Sequence, residues 1–234
     1  MIIEPNFDCN YRCTYCYNKE IPVMNMDNDL WETIFIELKE LKVKRVNITP
    51  SGEPFVFDDM IDKLEIVNGL KVHSYMKTNF SRCTPDIQDK IKNMEYIHLV
   101  ISDYGSEDYG RFNKITNMKE DEWKILKGNI KYSKEIDLNI EYSSVIPEEG
   151  IITDTGGKCT NSYFPLVRPD GKVYLCSSIE GNLVIGDVNT QTLKEILISK
   201  KRRDMIKNLP EFCKTCTSMS TERKIGLEEM RLLK

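Results

Sequence analysis

The sequence has little histidine, no long apolar run and no excess of positive charge. Its 234 residues contain two histidines, so imidazole ligands for a metal are scarce. No stretch of 18 or more apolar residues occurs, which predicts no membrane span. The formal charge of −4 argues against broad electrostatic binding of nucleic acid. The first ten residues lack the basic start and apolar run of a signal peptide. We therefore expect a cytoplasmic protein with neither membrane nor nucleic acid as a partner.

Cysteine, in contrast, is abundant and clustered. In a secreted protein eight cysteines would suggest disulfides, but clustered thiols in a reducing compartment indicate metal binding. One group lies near the N-terminus, a second lies near the C-terminus, and one residue stands alone. The members are Cys9, Cys13 and Cys16; Cys159, Cys176, Cys213 and Cys216; and Cys83.

Strand-like and helix-like segments alternate over the first two-thirds of the chain. The predicted strands are 1–7, 45–49, 72–78, 96–102 and 138–146, and the predicted helices are 29–42, 58–67, 84–94 and 119–134, with Asp29 capping the first helix. Such alternation predicts a parallel sheet with helical crossovers, either open or curled toward a barrel. In these folds ligands bind at the C-terminal ends of the strands, so we expect the chemistry in the loops that follow them.

The pattern changes near residue 147. A β-hairpin with Pro169–Asp170–Gly171 as its turn is predicted, followed by a single helix over 190–208. We therefore predict two domains, 1–146 and 147–234.

The N-terminal cysteines have the spacing C-x3-C-x2-C and follow the first predicted strand. A structural zinc site needs four ligands, and a [4Fe–4S] cluster normally takes four thiolates. Three thiolates would leave one iron open to a small chelating ligand, and an open metal position is typical of catalysis.

With Tyr15 in its aromatic position, this loop resembles the signature C-x3-C-x-aromatic-C of the radical S-adenosylmethionine (SAM) superfamily. The resemblance implies an α/β fold, a partial (β/α) TIM-like barrel of about five to six parallel strands. It implies that SAM chelates the vacant iron of a [4Fe–4S] cluster. One electron then cleaves SAM to methionine and a 5′-deoxyadenosyl radical, which abstracts a hydrogen atom from substrate. It further implies an external electron donor such as flavodoxin or ferredoxin.

Other residues at the predicted strand ends extend this resemblance. A segment after the second strand looks like the GGE motif of the superfamily, with a glycine that permits close approach and a carboxylate that accepts from the SAM ammonium. Polar residues after the third and fourth strands are implied to contact the ribose and carboxylate of SAM. The implied SAM-binding residues are Tyr15, Ser51, Gly52, Glu53, Pro54, Asn79, Ser102 and Asp103.

The C-terminal cysteines run C-x16-C-x36-C-x2-C, and four thiolates suit zinc or [4Fe–4S] equally by count. The surrounding sequence, with "PDGKVYLC", "GN" and "IGDV" before C-x2-C, resembles a Twitch domain, the short form of the SPASM extension. That resemblance implies a small α+β domain, with a β-hairpin and a helix, that binds a second, auxiliary [4Fe–4S] cluster. Its predicted role is electron transfer.

The substrate is expected to be a peptide or a polar natural-product metabolite. The favoured reaction is oxidation, either dehydrogenation or cross-link formation. An alternative is epimerisation with Cys83 as hydrogen-atom donor, although the favoured interpretation of Cys83 is a small buried hydrophobe. A further alternative is a non-catalytic iron–sulfur or zinc protein. A barrel of five strands would have a wide mouth, which suits a peptide or another large substrate. Recognition of a leader peptide would then need a separate protein or another surface.

Overall fold

The computed structural model describes residues 1–14, 16, 22–49, 51–144, 164–176, 183–211 and 213. The chain divides into two compact units. The first comprises Met1–Pro147 and Val167–Gly171, and the second comprises Glu148–Leu166 and Lys172–Lys234. The domain boundary near residue 147 falls outside the described residues and stays a prediction.

The first unit contains a parallel sheet with the strand order β5-β4-β3-β2-β1. Each neighbouring pair of these strands is parallel. Their bounds are Ile2–Ile3 for β1, Val46–Ile48 for β2, Ser74–Thr78 for β3, Ile97–Asp103 for β4 and Ile140–Ser144 for β5. The predicted βα alternation with about five parallel strands is therefore confirmed.

Helices connect the strands of this unit. They are α1 (Asn28–Glu40), α2 (Met60–Leu70), α3 (Pro85–Ile91), α4 (Tyr109–Thr116) and α5 (Glu120–Glu135), with a 3-10 helix at Pro54–Val56. The predicted cap of α1 was wrong by two residues, because the side chain of Asp27, not Asp29, accepts a hydrogen bond from the N–H of Leu30 at 2.8 Å. Helix α4 was not predicted, and it begins where Asp108 accepts from the N–H groups of Gly110 and Arg111.

An apolar row across four strands forms the centre of the core. Ile3, Ile48, Met76 and Leu99 are register partners on β1 to β4, and none is more than 1% exposed. Because this register aligns the strands, the loops that follow them leave the sheet at the same edge. The candidate site residues of the first unit lie at these strand ends or on the loops that follow them.

The next strand, β6 (Leu166–Val167), leads into a tight turn. The N–H of Glu4 donates to the carbonyl of Val167 at 2.9 Å. The predicted turn is confirmed, since the N–H of Gly171 donates to the carbonyl of Arg168 at 2.9 Å and Gly171 has φ +81°.

The second unit contains an antiparallel pair, β7 (Lys172–Tyr174) and β8 (Val184–Asp187), and two helices. The single helix predicted over 190–208 was wrong: α6 covers Leu193–Leu197 and α7 covers Lys200–Lys207. The break occurs because Ser199 caps α7, with its Oγ accepting from the N–H of Arg202 at 3.1 Å. None of the helices in the described ranges has the length and apolar character needed to cross a bilayer.

Candidate active site

A cavity of about 110 Å³ lies at the C-terminal edge of the parallel sheet. Six of the predicted site residues line it, and five further residues that were not predicted complete its wall. The predicted ones are Cys9, Cys13, Gly52, Glu53, Asn79 and Ser102, and the others are Tyr11, Thr49, Lys77, Thr78 and Tyr104. The loops after β1, β2, β3 and β4 therefore meet at one place.

Gly52 is packed against the cysteine loop. A Cβ atom at this position would lie 1.8 Å from the carbonyl oxygen of Asp8 and 2.6 Å from Oδ1 of Asn6. The N–H of the next residue, Glu53, donates to the same Asp8 carbonyl at 2.7 Å. The close approach expected of this glycine thus includes the backbone just before Cys9.

The carboxylate of Glu53 is buried and held by the end of β3. It accepts hydrogen bonds from Oγ1 of Thr78 at 2.6 Å, from the N–H of Asn79 at 2.6 Å and from the N–H of Phe55 at 3.4 Å. Burial raises the pKa of Glu53 to about 7, although these hydrogen bonds oppose the shift. The group therefore sits in the cavity wall with a fixed orientation and near its point of ionisation at neutral pH.

Asn79 connects the end of β3 to the cysteine loop. Its Nδ2 donates to Oδ1 of Asn10 at 3.1 Å and lies 4.0 Å from Sγ of Cys9. Its Oδ1 accepts from the N–H and Oγ of Ser81, at 2.9 and 2.7 Å. Asn10 in turn donates from Nδ2 to Oγ of Ser81 at 2.8 Å. In this structure the Asn79 side chain organises the loop that carries the thiols.

The two predicted residues at the end of β4 differ in placement. Ser102 lines the cavity, and Asp103 is not among the lining residues. Oδ1 of Asp103 accepts from the N–H groups of Gly105 at 2.9 Å and Ser106 at 2.8 Å. Partial burial opposes ionisation, but these hydrogen bonds outweigh it and lower the pKa of Asp103. The carboxylate shapes the turn that presents Tyr104.

Ser51 and Pro54 also lie outside the cavity wall. The Oγ of Ser51 donates to Oε1 of Glu4, a carboxylate 5% exposed at the end of β1. Nε of Arg168 lies 3.5 Å from Oε2 of the same carboxylate. Burial raises the pKa of Glu4 to about 7, against the effects of the Ser51 hydrogen bond and the Arg168 charge.

Replacement of Glu4 by glutamine is expected to change how stability depends on pH. Because its pKa is raised from 4.5 to about 7, folded Glu4 keeps its proton where the unfolded chain loses it. Its contribution to stability is therefore complete below pH 4.5 and is lost as pH rises through about 7. Urea unfolding of the cluster-free wild type should show this loss, about 1–3 kcal/mol from Glu4, and Glu4→Gln should remove it. Glu53 titrates in both proteins, so parallel curves for the two would contradict the assignment.

The N-terminal cysteines lie on one short loop at the cavity. Cys9 and Cys13 line the cavity, and the N–H of Cys16 donates to the carbonyl of Cys13 at 3.1 Å. Burial raises the pKa of Cys9 to about 12, and the neighbouring Cys13 and Cys16 add to the shift. In the described ranges no three His, Cys, Asp or Glu side chains are close enough together to hold a metal ion. Tyr15, predicted in this loop, lies outside the described residues.

Cys83 lies in the core and outside the cavity wall, and its role as hydrogen-atom donor stays a prediction. Its side chain is 0% exposed, and it is not among the residues that line the cavity. Burial raises the pKa of its thiol well above the usual value. The interpretation as a small buried hydrophobe agrees with this position, whereas delivery of a hydrogen atom to a substrate needs a sulfur atom that reaches the cavity.

Of the C-terminal cysteines, Cys176 and Cys213 are described and both are buried. Cys176 follows β7, where the N–H of Leu175 donates to the carbonyl of Leu183 at 2.9 Å, and the N–H of Cys213 donates to the carbonyl of Pro210 at 3.0 Å. Cys159 and Cys216 lie outside the described residues. Their common site with the described pair stays a prediction.

Sequence reasoning missed the cavity residues that immediately adjoin the recognised motifs. Thr49 follows β2 directly, Lys77 and Thr78 end β3, and Tyr104 follows β4. Tyr11 lies between the first two cysteines, and its ring packs edge-on against Tyr104 and Phe112 at centroid distances of 6.2 and 5.6 Å. Their positions in the sequence could have identified them, because side chains at the C-terminal ends of parallel strands line ligand sites.

Comparison with known families decides how the chain is classified. The family model of the radical SAM superfamily matches residues 3–148, more than half of the chain. The chain belongs to the radical SAM superfamily. A second model, for an iron–sulfur cluster-binding domain of the SPASM type, matches residues 159–217 of this radical SAM enzyme. Its cofactors are therefore SAM and a [4Fe–4S] cluster, with auxiliary iron–sulfur binding in the C-terminal region, as predicted. A comparison with curated proteins gave no match.

Several solved structures share the fold of this radical SAM enzyme. BtrN in complex with AdoMet and 2-DOIA is 16% identical, with 94% of this chain and 92% of BtrN covered and a TM-score of 0.67. SuiB from Streptococcus suis bound to S-adenosylmethionine is 14% identical, with 93% and 70% covered and a TM-score of 0.67. The protein anSMEcpe with bound AdoMet and Cp18Cys peptide is 15% identical, with 92% and 85% covered and a TM-score of 0.55. At these identities the likeness concerns the fold, and it confirms the predicted partial barrel followed by a small domain.

Proposed function

We propose that this protein oxidises a peptide or a polar natural-product metabolite by removing a hydrogen atom from a carbon of the substrate. The observation that carries the proposal is the single cavity wall on which Cys9, Cys13, Gly52, Glu53 and Asn79 meet. When bound, the cluster and SAM supply a 5′-deoxyadenosyl radical that takes the hydrogen atom. The protein holds both groups and the substrate in fixed relative positions and excludes water from them.

The residues of the cavity suit these groups chemically. Thiolates are the usual ligands of iron–sulfur clusters, so Cys9, Cys13 and Cys16 are the proposed ligands of the first cluster. The buried Glu53 carboxylate is a suitable acceptor for an ammonium group. Ser102 and Asn79 offer polar groups for the ribose and carboxylate of SAM. Lys77 and Tyr104 line the same cavity and are placed to select the substrate or the nucleotide.

The auxiliary cluster is proposed to bind Cys159, Cys176, Cys213 and Cys216. The SPASM-type match begins at Cys159 and ends one residue after Cys216, so it spans the whole set. A cluster ligated by four cysteines has no position for substrate, which supports a role in electron transfer. The substrate radical would give one electron to this cluster and one proton to solvent, so that two hydrogens in all leave the substrate.

Removal of two auxiliary ligands is expected to abolish binding of the second cluster and to leave the first cluster in place. The double variant Cys176→Ala/Cys213→Ala should bind about four irons per chain instead of about eight, because the N-terminal loop is unchanged. It should still cleave SAM, but it should form no oxidised product, because the electron acceptor is lost. Iron analysis and product mass on the reconstituted protein check this. An unchanged iron content, or an undiminished yield of oxidised product, would oppose the assignment.

The substrate class rests on what the fold relatives bind. BtrN has been solved in complex with 2-DOIA, and SuiB has been solved bound to the precursor peptide SuiA. The barrel of this chain has five parallel strands in the described residues, which supports a wide opening suited to either class.

The proposed function is tested with the reconstituted protein under anaerobic conditions. Dithionite and SAM should yield 5′-deoxyadenosine. A true substrate should lose two mass units for each oxidation, whether the product is dehydrogenated or cross-linked. With a substrate deuterated at the reacting carbon, deuterium should appear in 5′-deoxyadenosine. A product with the same mass as the substrate and an inverted stereocentre would instead indicate epimerisation. No described contact of Cys83 favours that reaction.

A further inference from the structure

The turn that follows β3 is held by a buried amide from a distant helix. Asn129 lies on α5 and is 6% exposed. Its Nδ2 donates to the backbone carbonyls of Phe80 at 3.0 Å and Ser81 at 3.1 Å. We infer that Asn129 is a positioning residue for the cysteine loop, on which it acts through the backbone of the Phe80–Ser81 turn. The inference rests on the proposed function of that loop.

The backbone of this turn needs external support. Phe80 has φ +65°, in the left-handed region that a residue with a Cβ atom rarely adopts, and its side chain is 0% exposed. Such a conformation persists only where the surrounding structure fixes it. The N–H of Phe80 donates to Oγ1 of Thr78 at 2.8 Å, and Asn129 binds the carbonyls of Phe80 and Ser81. The turn is therefore held from both sides.

The same turn controls the residue next to the first thiol. Asn79 precedes Phe80 and donates to Oδ1 of Asn10, while Ser81 follows it and accepts from Nδ2 of Asn10. Both polar atoms of the Asn10 side chain are thus bound by Asn79 and Ser81, the residues on either side of Phe80. A rotation of the turn would move both partners of Asn10 at once, and with them the backbone that carries Cys9.

A second buried amide connects α5 to the far end of the loop. Gln88 is 0% exposed, and its Nε2 donates to the carbonyl of Asn129 at 3.0 Å and to that of Cys83 at 2.8 Å. Buried polar side chains are retained where they satisfy buried backbone groups that would otherwise lack partners. The two amides fix the loop after β3 to the helical layer, and so give the cysteine loop a rigid support.

The test compares Asn129→Leu with Leu126→Ala in the reconstituted protein. Asn129→Leu keeps the branched heavy-atom skeleton of the side chain, with larger methyl groups at its ends, and removes both donated hydrogen bonds. Leu126 is 1% exposed and lies three residues earlier on α5, so Leu126→Ala lowers stability through a cavity and leaves the turn contacts in place. We expect Asn129→Leu to raise the KM for SAM about tenfold, to retain less iron and to weaken the SAM-induced change in the EPR spectrum of the reduced cluster. Leu126→Ala should lower the Tm and keep the wild-type KM, iron content and EPR response.

Wild-type KM and EPR response in Asn129→Leu would overturn the inference, and so would an equal rise in KM in Leu126→Ala. If Asn129→Leu does not fold, Asn129→Asp serves, because it has nearly the same shape and its carboxylate donates no hydrogen bond. Should the wild type form no 5′-deoxyadenosine, the proposed function fails. The iron retained by the Asn129 variant relative to Leu126→Ala still decides whether Asn129 positions the cysteine loop.

Discussion

Replacement of Cys13 by alanine is expected to abolish SAM cleavage. The Cys13 thiol is buried in the cavity wall beside Cys9, and an iron–sulfur cluster held by two protein thiolates would lose its anchoring. We expect the rate of 5′-deoxyadenosine formation to fall at least about 100-fold, because even outer-shell changes around metal ligands typically cost 10–100-fold. Bound iron should fall by about four per chain, leaving the auxiliary cluster. Anaerobic reconstitution, iron analysis and chromatography of the products measure both effects.

The matched control is Cys83→Ala. It removes a thiol from the same structural unit, but Cys83 is 0% exposed and does not line the cavity. The variant should retain about eight irons per chain and form 5′-deoxyadenosine at close to the wild-type rate. A loss of SAM cleavage in Cys83→Ala comparable to that in Cys13→Ala would refute the assignment of ligands to the N-terminal loop.

The second large effect is expected at Gly52. An alanine methyl group would overlap the Asp8 carbonyl oxygen, which is backbone and cannot move aside as a flexible side chain does. Either the motif after β2 or the cysteine loop must shift, and the hydrogen bond from the Glu53 N–H to Asp8 would be broken. We expect Gly52→Ala to lower the free energy of unfolding by about 3 kcal/mol and to impair cluster binding at the same time.

Gly69→Ala is the control for this change. Gly69 lies in α2 with nothing within 4 Å of an added Cβ atom, so alanine should stabilise the helix by about 0.5–1 kcal/mol. Denaturant unfolding and iron content of both variants check the prediction. If Gly52→Ala were as stable and as iron-rich as Gly69→Ala, the close contact between the two loops would be wrong.

The sequence alone located the thiols and the motif after β2 because both are local patterns. The spacing of Cys9, Cys13 and Cys16, and the position of Gly52–Glu53 after a strand, need no knowledge of distant contacts. The parallel sheet was predictable for the same reason, since each strand and most helices carry their own apolar period.

Long-range polar contacts could not be predicted from such local patterns. The hydrogen bonds of Asn129 join residues 48 and 49 positions apart, and the bond between Ser51 and Glu4 joins residues 47 apart. Nothing in the neighbouring sequence of Asn129 marks it as different from any polar residue on a helix. Asn79 lines the cavity, but its contacts to Asn10 and Ser81 depend on the fold and could not be predicted.

Errors at helix ends had local physical causes. Helix α4 has a short apolar pattern, with Phe112 and Ile115 buried, and too few turns to stand out in the sequence. The apolar period over 190–208 continued across a cap at Ser199, so periodicity alone joined α6 to α7. Capping hydrogen bonds decided these ends, and apolar periodicity does not report them.

The most direct test of the central claim uses the variant that retains the first cluster alone. In reduced Cys176→Ala/Cys213→Ala protein, addition of SAM should change the g values of the [4Fe–4S] EPR signal, because the proposed ligands Cys9, Cys13 and Cys16 would leave one iron to which SAM would bind. An EPR spectrum that is the same with and without SAM, in protein shown to carry about four irons per chain, would contradict the account.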